Sequence, residues 1–109
     1  MPAMADPFEC ELEARGDEAW VLPTGELDLA SAPELEESLS LALASDARAI
    51  VVDLRGLDLL DSSGLRVLLQ AHASETGDRI SFVPGSEIVQ AVLRISGVLE
   101  ELRLRSPEG

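Results

Sequence analysis

Hydrophobic and polar residues alternate near the start of the chain. Residues 8–14 place Phe, Cys, Leu and Ala at every second position between three glutamates, a pattern that predicts a strand with one buried face. Residues 15–18 (Arg-Gly-Asp-Glu) have turn chemistry, and Ala19–Leu22 is the expected returning strand of a hairpin. Because Pro23 has no N–H to donate to a neighbouring strand, this strand should end there or have one side unpaired at that point.

The pattern changes to a helical period after residue 30. Ser31 and Glu34 have the spacing of a capping box, and the apolar residues that follow them lie on one face of a first helix. The elements expected after it are a buried strand over Ala49–Leu54, a helix from Ser62 that Gly77 stops, a strand over Arg79–Val83, a helix capped by Ser86 that ends near Gly97, and a short strand over Leu99–Leu104. The order is therefore β-β-α-β-α-β-α-β. It predicts an α/β fold with a mixed sheet of four to five strands and three or four helices, in which the later strands run parallel.

The length of 109 residues fits one domain with a hydrophobic core of its own. We expect that domain to span residues 8–105, between a flexible leader (1–7) and a flexible tail (106–109). Cys10 is the only cysteine, which rules out an internal disulfide. Its place in a predicted strand indicates a buried or half-buried structural thiol.

The charge of the chain restricts its partners. The net charge is −13, from 21 acidic residues against 8 basic residues that are all arginine. Such a chain repels nucleic acid and anionic lipid headgroups, so neither is an expected partner. The N-terminus lacks the basic region and apolar run of a signal peptide, and no stretch approaches the roughly 18 apolar residues of a membrane span. We therefore expect a cytoplasmic protein without direct membrane insertion.

Catalysis is disfavoured by the supply of reactive side chains. His72, the only histidine, lies ten positions after Ser62 on the same predicted helix, which separates the two by about 15 Å. That distance excludes a Ser-His-Asp triad. One cysteine and one histidine cannot form a usual zinc site, and the sequence has no glycine-rich loop with a lysine for nucleotide phosphates. We expect no enzymatic activity, no catalytic residues, no metal site and no cofactor, with His72 at the edge of the core.

The remaining candidate chemistry lies where the strand over Ala49–Leu54 leads to the second helix. Asp61 and Ser62 are both good helix caps, and an aspartate is favoured near a helix N-terminus. Binding sites in open α/β sheets form at such strand-to-helix junctions. From the residues alone, this junction is either a well-capped helix or a functional site.

Residues 52–68 (Val-Asp-Leu-Arg-Gly-Leu-Asp-Leu-Leu-Asp-Ser-Ser-Gly-Leu-Arg-Val-Leu) resemble the signature of STAS domains, specifically of bacterial anti-sigma factor antagonists, also called anti-anti-sigma factors. Residues 25–28 (Gly-Glu-Leu-Asp) match a second family element before the first helix, and residues 95–97 (Ile-Ser-Gly) match a weaker third one. The resemblance extends over about residues 8–104 and implies the STAS fold.

The resemblance also implies a phosphorylation-switched protein-binding module. In similar proteins, a partner that is both serine kinase and anti-sigma factor phosphorylates the first serine of the Asp-Ser-Ser-Gly motif. That residue is Ser62 here, and Ser63 is the less favoured candidate. The unphosphorylated form binds the anti-sigma factor and so frees a sigma factor, and a serine phosphatase resets the phosphorylated form. The residues implied to contact the partner are Glu26, Asp28, Asp58, Asp61, Ser63, Gly64, Leu65 and Arg66.

Two of these residues also have purely structural interpretations. Asp28 could act only as a loop acid that helps to start the first helix. Gly64 permits close approach of a partner's backbone, or its missing side chain simply relieves crowding inside the domain.

Two features depart from the antagonist pattern. Pro23 lies where the second strand usually continues to Gly25, and the sequence has no amphipathic final helix of the kind found in many antagonists. Some STAS subunits of ABC-type lipid transport complexes are equally short and have a similar proline, so an accessory subunit of such a complex is the main alternative. Those proteins often lack the first serine of the motif, whereas Ser62 and Ser63 are both present here. A scaffold component of a stress-signalling assembly and a detached transporter STAS domain are further alternatives.

Overall fold

A computed structural model describes residues 7–74 and 77–107 of the chain. Residues 1–6 of the expected leader and residues 108–109 of the expected tail therefore lie outside the described residues. The described strands are β1 (Glu9–Arg15), β2 (Glu18–Leu27), β3 (Ala49–Asp53), β4 (Leu57–Leu60) and β5 (Ile80–Val83). The described α-helices are α1 (Ala32–Ala44), α2 (Ser62–Ala73) and α3 (Glu87–Ile95). Short 3₁₀ turns at Leu54–Gly56 and Gly77–Arg79 precede β4 and β5.

Strand β2 organises the sheet. It pairs with β1 in antiparallel register on one side. On its other side it pairs in parallel first with β3, over Glu18–Val21, and then with β4, over Gly25–Leu27. Strand β5 runs parallel to β3 on the far side, which gives the order β1-β2-β3-β5 with β4 beside the end of β2. The predicted α/β class with a mixed sheet and parallel later strands is confirmed.

Pro23 lies inside β2, at the point where that strand changes partners. No residue between Val21 and Gly25 is in register with β3 or β4, so this side of the strand is unpaired at Pro23. Gly25 has a φ of 93°, a left-handed conformation that glycine adopts readily and that lets the strand bend toward β4. The expectation of one unpaired side is confirmed, whereas a strand end at Leu22 is wrong because β2 continues to Leu27.

The three helices contribute to one core on a single face of the sheet. Side chains alternate along each strand, so Val21, Ile50 and Phe82 point to the helices while their neighbours point away. On the opposite face, Trp20, Val51 and Val83 form a second, smaller cluster. The Arg15 guanidinium lies 3.9 Å from the centre of the Trp20 ring and covers it. Within the described structure, hydrophobic burial thus occurs on both faces, although only one of them carries helices.

Two details of the predicted element order are wrong. Strand β4 lies between the expected strand over Ala49–Leu54 and the second helix, where no element was predicted. It forms because Leu57 and Leu60 are buried and pair with the end of β2. The expected strand over Leu99–Leu104 is mostly a turn, since the Leu102 N–H bonds to the Val98 carbonyl. Only Leu104 bridges to the sheet, opposite Phe82. The order of the described elements is β-β-α-β-β-α-β-α.

The end of the second helix also differs from the expectation. Helix α2 ends at Ala73, four residues before Gly77, and the Ser74 side chain and backbone both bond to the Ala71 carbonyl.

Cys10 is half-buried as expected, and its burial raises the pKa of the thiol, against the opposing effect of a hydrogen bond with Ser38. Among the described residues, none of the helices is long and apolar enough to cross a membrane.

Candidate functional site

The ends of β2 and β4 bring the starts of two helices together. Leu27 and Leu60 are paired in parallel register, and Asp28 and Asp61 directly follow them. The Asp61 N–H also donates a hydrogen bond of 3.1 Å to the Leu27 carbonyl. The loop before α1 and the start of α2 therefore lie side by side at the carboxyl edge of the sheet.

Asp61 caps α2 with its side chain. Its Oδ1 atom accepts hydrogen bonds from the backbone N–H groups of Ser63 (2.9 Å) and Gly64 (3.1 Å). These are N–H groups that a helix start leaves without partners, so the carboxylate satisfies them. Ser62, the first residue of α2, is exposed, and within the described ranges its hydroxyl makes no hydrogen bond.

Ser31, at the start of α1, is used by the fold in a different way. Its hydroxyl donates to the Glu26 carbonyl (2.8 Å) and accepts from the Asp28 N–H (2.9 Å). It makes no cap hydrogen bond to α1, so the capping box predicted for Ser31 and Glu34 is wrong. The reason is that the buried Ser31 hydroxyl points away from α1 and bonds to the Glu26 carbonyl and the Asp28 N–H, which would otherwise lack partners.

Asp28 has the structural role that was considered for it. Its Oδ1 atom accepts from the N–H groups of Ala30 (3.0 Å) and Ser31 (3.1 Å), and its carbonyl accepts from the Ala32 N–H. These bonds shape the turn that leads into α1. Asp28 is only partly buried, so this role leaves it available for a partner contact as well.

Gly64 and Leu65 are buried in the domain. A Cβ atom on Gly64 would lie 2.4 Å from Cγ and 2.6 Å from Cδ2 of Leu27, a residue with no solvent exposure. The missing side chain therefore lets α2 pack on β2, which is the crowding interpretation. Leu65 is 8% exposed and belongs to the main core. Neither residue presents a side chain to a partner. Gly64 and Leu65 can therefore affect partner binding only by fixing the position of the start of α2.

A shallow groove lies between the first turns of α1 and α2, beside Ser62. We call it the α1–α2 groove, and it is lined by Leu29, Ala32, Pro33, Glu36, Ser63, Arg66, Val67 and Gln70. Ser63 is half-buried in it, whereas Arg66 is exposed. Leu29, which is 76% exposed, was not expected in the site. The sequence feature that could have identified Leu29 is its place in a polar loop, where it fits neither a strand pattern nor a helix pattern.

Asp58 lies apart from this groove. The pairing of β2 with β4 shifts between Gly25 and Glu26, so Asp58 is an extra, exposed residue in a bulge. It lines a separate depression with Glu9, Thr24 and Gly56 among others. Glu26 is half-buried, and its carbonyl is the group that holds Ser31. The structure therefore separates Asp58 from the residues of the groove.

Asp53, the last residue of β3, is a third aspartate at this edge of the sheet. It is buried, and its carboxylate accepts hydrogen bonds from the Arg55 backbone N–H (3.0 Å) and from guanidinium atoms Nε (3.0 Å) and Nη2 (2.8 Å). Burial raises the pKa of Asp53, but these hydrogen bonds and the Arg55 charge outweigh it and lower the pKa below its usual range. Sequence reasoning missed this pair, which fixes the turn before β4.

His72 lies where it was expected, at the edge of the core. It is half-buried near the end of α2, with its ring centre 6.2 Å from that of Phe82. The helix places it about 15 Å from Ser62, so the two cannot exchange a proton directly. In the part of the chain that the structure describes, no three His, Cys, Asp or Glu side chains are grouped as a metal site.

Solved structures with a similar fold include several anti-sigma factor antagonists. One from Mycobacterium paratuberculosis is 25% identical, with a TM-score of 0.80 over 94% of this chain and 87% of its own. SpoIIAA in its unphosphorylated form is 20% identical, with a TM-score of 0.70 over 94% of this chain and 90% of its own. Bacillus SpoIIAA in its phosphorylated form is 20% identical, with a TM-score of 0.63 over 94% of both chains. The SpoIIAA structures support the fold.

Sequence comparison gives the same family. A family model described as "Mlab, STAS domain" matches residues 10–105. The anti-sigma-F factor antagonist RsfB of Mycobacterium tuberculosis is 31% identical over 84 residues, which are 75% of this chain and 68% of RsfB. The chain belongs to the STAS-domain family.

Proposed function

We propose that this protein is an anti-sigma factor antagonist whose binding is switched by phosphorylation of Ser62. Unmodified, it binds an anti-sigma factor that is also a serine kinase, and so frees a sigma factor in the cytoplasm. Phosphorylated, it releases that partner until a serine phosphatase removes the phosphate. The names of its relatives support the antagonist role.

The observation that carries the proposal is the free hydroxyl of Ser62. Asp61 satisfies the N–H groups at the start of α2, so the fold does not need the Ser62 side chain. The hydroxyl is exposed and can enter the active site of a kinase without local unfolding. Ser63 is half-buried in the α1–α2 groove, which makes it the poorer substrate.

In this proposal the chain is the substrate of phosphoryl transfer and supplies no catalytic group. The Ser62 Oγ atom attacks the γ-phosphorus of ATP held by the partner, and an Oγ–P bond forms. The bond from that phosphorus to the β,γ-bridging oxygen breaks, ADP leaves, and a base on the kinase takes the hydroxyl proton. The phosphatase later transfers the phosphoryl group to water and restores the hydroxyl.

Electrostatics explains how the phosphate would act. It adds a charge of about −1.5 to −2 to a surface that already carries Asp28 and Asp61 at the adjoining strand ends. A partner that packs on this surface would then have to bury the phosphate beside two carboxylates, and like charges brought together in an interface cost several kcal/mol. The N-terminus of α2 itself tolerates an anion, so the domain stays folded.

The test is a kinase reaction with mapped products. The protein is mixed with ATP and with each serine-kinase anti-sigma factor encoded in the source genome, and phosphate is located by mass spectrometry. We expect modification of Ser62 in the wild type, none in Ser62→Ala, and full modification in Ser40→Ala, a control that removes another exposed serine hydroxyl from a helix. Absence of phosphate with every such kinase would contradict the proposal.

The second candidate is the accessory subunit of an ABC-type lipid transport complex, favoured by Pro23 before Gly25. Pull-down of the tagged full chain from its source cells separates the two functions. An antagonist recovers the anti-sigma factor, whereas an accessory subunit recovers an ATPase and a permease and carries no phosphate on Ser62.

A further inference from the structure

Arg66 lies one helical turn after Ser62, on the same exposed side of α2. It lines the α1–α2 groove beside Ser63. Within residues 7–74 and 77–107 it makes no hydrogen bond and no ion pair, although Glu36 lines the same groove on α1. The guanidinium is therefore unengaged while Ser62 is unmodified.

This state is unusual among the arginines of the chain. Six of the eight are engaged, with carboxylates or with backbone carbonyls: Arg15, Arg48, Arg55, Arg79, Arg103 and Arg105. In the part of the chain that is described, only Arg66 and Arg94 make neither kind of contact. Arg94 is on α3, away from the groove. Among the described residues, Arg66 is thus the one unengaged cation beside Ser62.

Helix geometry places Arg66 within reach of a phosphate on Ser62. Side chains four positions apart on a helix are neighbours, with Cβ atoms about 5–6 Å apart. An anion that precedes a cation by four residues is the favourable orientation. A guanidinium can also form two parallel hydrogen bonds to phosphate oxygens, a geometry that lysine cannot match.

We propose that Arg66 serves two states of the switch. When Ser62 is unmodified, Arg66 offers its charge to a carboxylate of the anti-sigma factor. When Ser62 is phosphorylated, Arg66 pairs with the phosphate in the same helix and is withdrawn from the partner. Phosphorylation then acts twice, by adding negative charge and by removing a cationic contact. This inference rests on the proposed function of Ser62 and specifies how it is regulated.

The first test measures the pairing without any kinase. Phosphoserine is placed at position 62 by genetic encoding, and the second pKa of the phosphate, normally about 6, is followed by ³¹P NMR. A nearby cation favours the dianion, so Arg66→Gln should raise this pKa by about 0.2–0.4. Arg94→Gln removes the same charge from α3 and should leave it unchanged.

The expected difference should disappear in about 1 M salt, because the pair is exposed and screened. Equal titration of the Arg66→Gln and Arg94→Gln proteins would overturn the proposal, whatever partner the protein binds. A clear difference between them, in a protein that no anti-sigma factor binds or phosphorylates, would instead contradict the proposed function.

The second test measures the partner contact in the unmodified protein. Isothermal titration with the anti-sigma factor should show a five- to tenfold weaker Kd for Arg66→Gln than for wild type. Arg94→Gln should bind like wild type, and circular dichroism should show equal melting temperatures for both variants. Wild-type affinity of Arg66→Gln would overturn the role assigned to Arg66 in the unmodified protein.

Discussion

The starts of α1 and α2 are built from similar residues but use their serines differently. Each follows one of two paired strands, and in each an aspartate Oδ1 atom accepts two backbone N–H groups. Ser31, at the start of α1, is 9% exposed and its hydroxyl is bonded on several sides. Ser62 is exposed and its hydroxyl is not used within the described structure. The fold therefore uses the hydroxyl of Ser31, whereas the hydroxyl of Ser62 has no structural role within the described residues.

The contact that holds the two starts together should be the most sensitive to mutation. Gly64→Val places a branched side chain where even a Cβ would lie 2.4 Å from Leu27 Cγ. We expect a loss of about 3 kcal/mol in the free energy of unfolding, measured by urea denaturation. Gly64→Ala should lose less, because alanine gains up to about 1 kcal/mol of helix propensity over glycine. An unchanged stability of the valine variant would show that α2 does not pack on β2 in this way.

The serines themselves provide the sharpest pair of variants. Ser31→Ala removes the partner of the Glu26 carbonyl and the Asp28 N–H in a nearly buried loop, which should cost about 1–3 kcal/mol of unfolding free energy. Ser62→Ala removes an exposed, unbonded hydroxyl and should change stability by less than about 0.5 kcal/mol. Equal losses in chemical denaturation would remove the distinction between the two helix starts.

Substitution of Asp61 tests whether its carboxylate, by capping α2, is what leaves the Ser62 hydroxyl unbonded. Asp61→Ala removes the acceptor for the Ser63 and Gly64 N–H groups and should destabilise the protein by about 1 kcal/mol. Asp61→Asn keeps a capping oxygen and is the control, with a loss of a few tenths. A stable Asp61→Ala variant would indicate that Ser62 can take over the cap, which would make its hydroxyl structural.

Asp53, the third aspartate at this edge of the sheet, should give a smaller, pH-dependent effect. The pKa of Asp53 is lowered in the folded protein, so its contribution is present above the unfolded value of about 3.9 and is lost as pH falls through the folded value. Arg55 is 51% exposed, so solvent screens the pair and keeps the effect small. Asp53→Asn should flatten the fall in melting temperature below about pH 4. If the melting temperatures of the wild type and of Asp53→Asn fell in parallel below about pH 4, the lowered pKa of Asp53 would be contradicted.

Sequence patterns predicted much of the fold, and the misses have physical causes. The hairpin, the three helices and the strands β3 and β5 follow from periodicity and turn residues, which are local signals. Strand β4 has only four residues and a bulge at Asp58, so no period identifies it. The strand expected after Gly97 is wrong because Val98 and Leu102 are both buried by a turn. Apolar residues four positions apart fit the period of a helical turn and also the period of two of a strand, so the pattern does not distinguish them.

The candidate site was predicted less completely than the fold. The Asp-Ser-Ser-Gly motif locates the start of α2 and the resemblance selects Ser62, but neither indicates that its side chain is exposed. Burial of Gly64 and Leu65 depends on how α2 sits against Leu27, which is a tertiary contact with no signal in local sequence. Local sequence does not indicate that the Ser31 hydroxyl is bonded while the Ser62 hydroxyl is exposed, because both serines have the sequence pattern of a helix cap.

The most direct test of the central claim is the effect of charge at position 62 on partner binding. Isothermal titration compares the wild type, Ser62→Asp and the neutral control Ser62→Asn with the cognate anti-sigma factor. We expect at least a tenfold weaker Kd for Ser62→Asp, a change of less than about threefold for Ser62→Asn, and melting temperatures within a few degrees of wild type for both. Wild-type affinity of the Ser62→Asp protein would contradict the central claim.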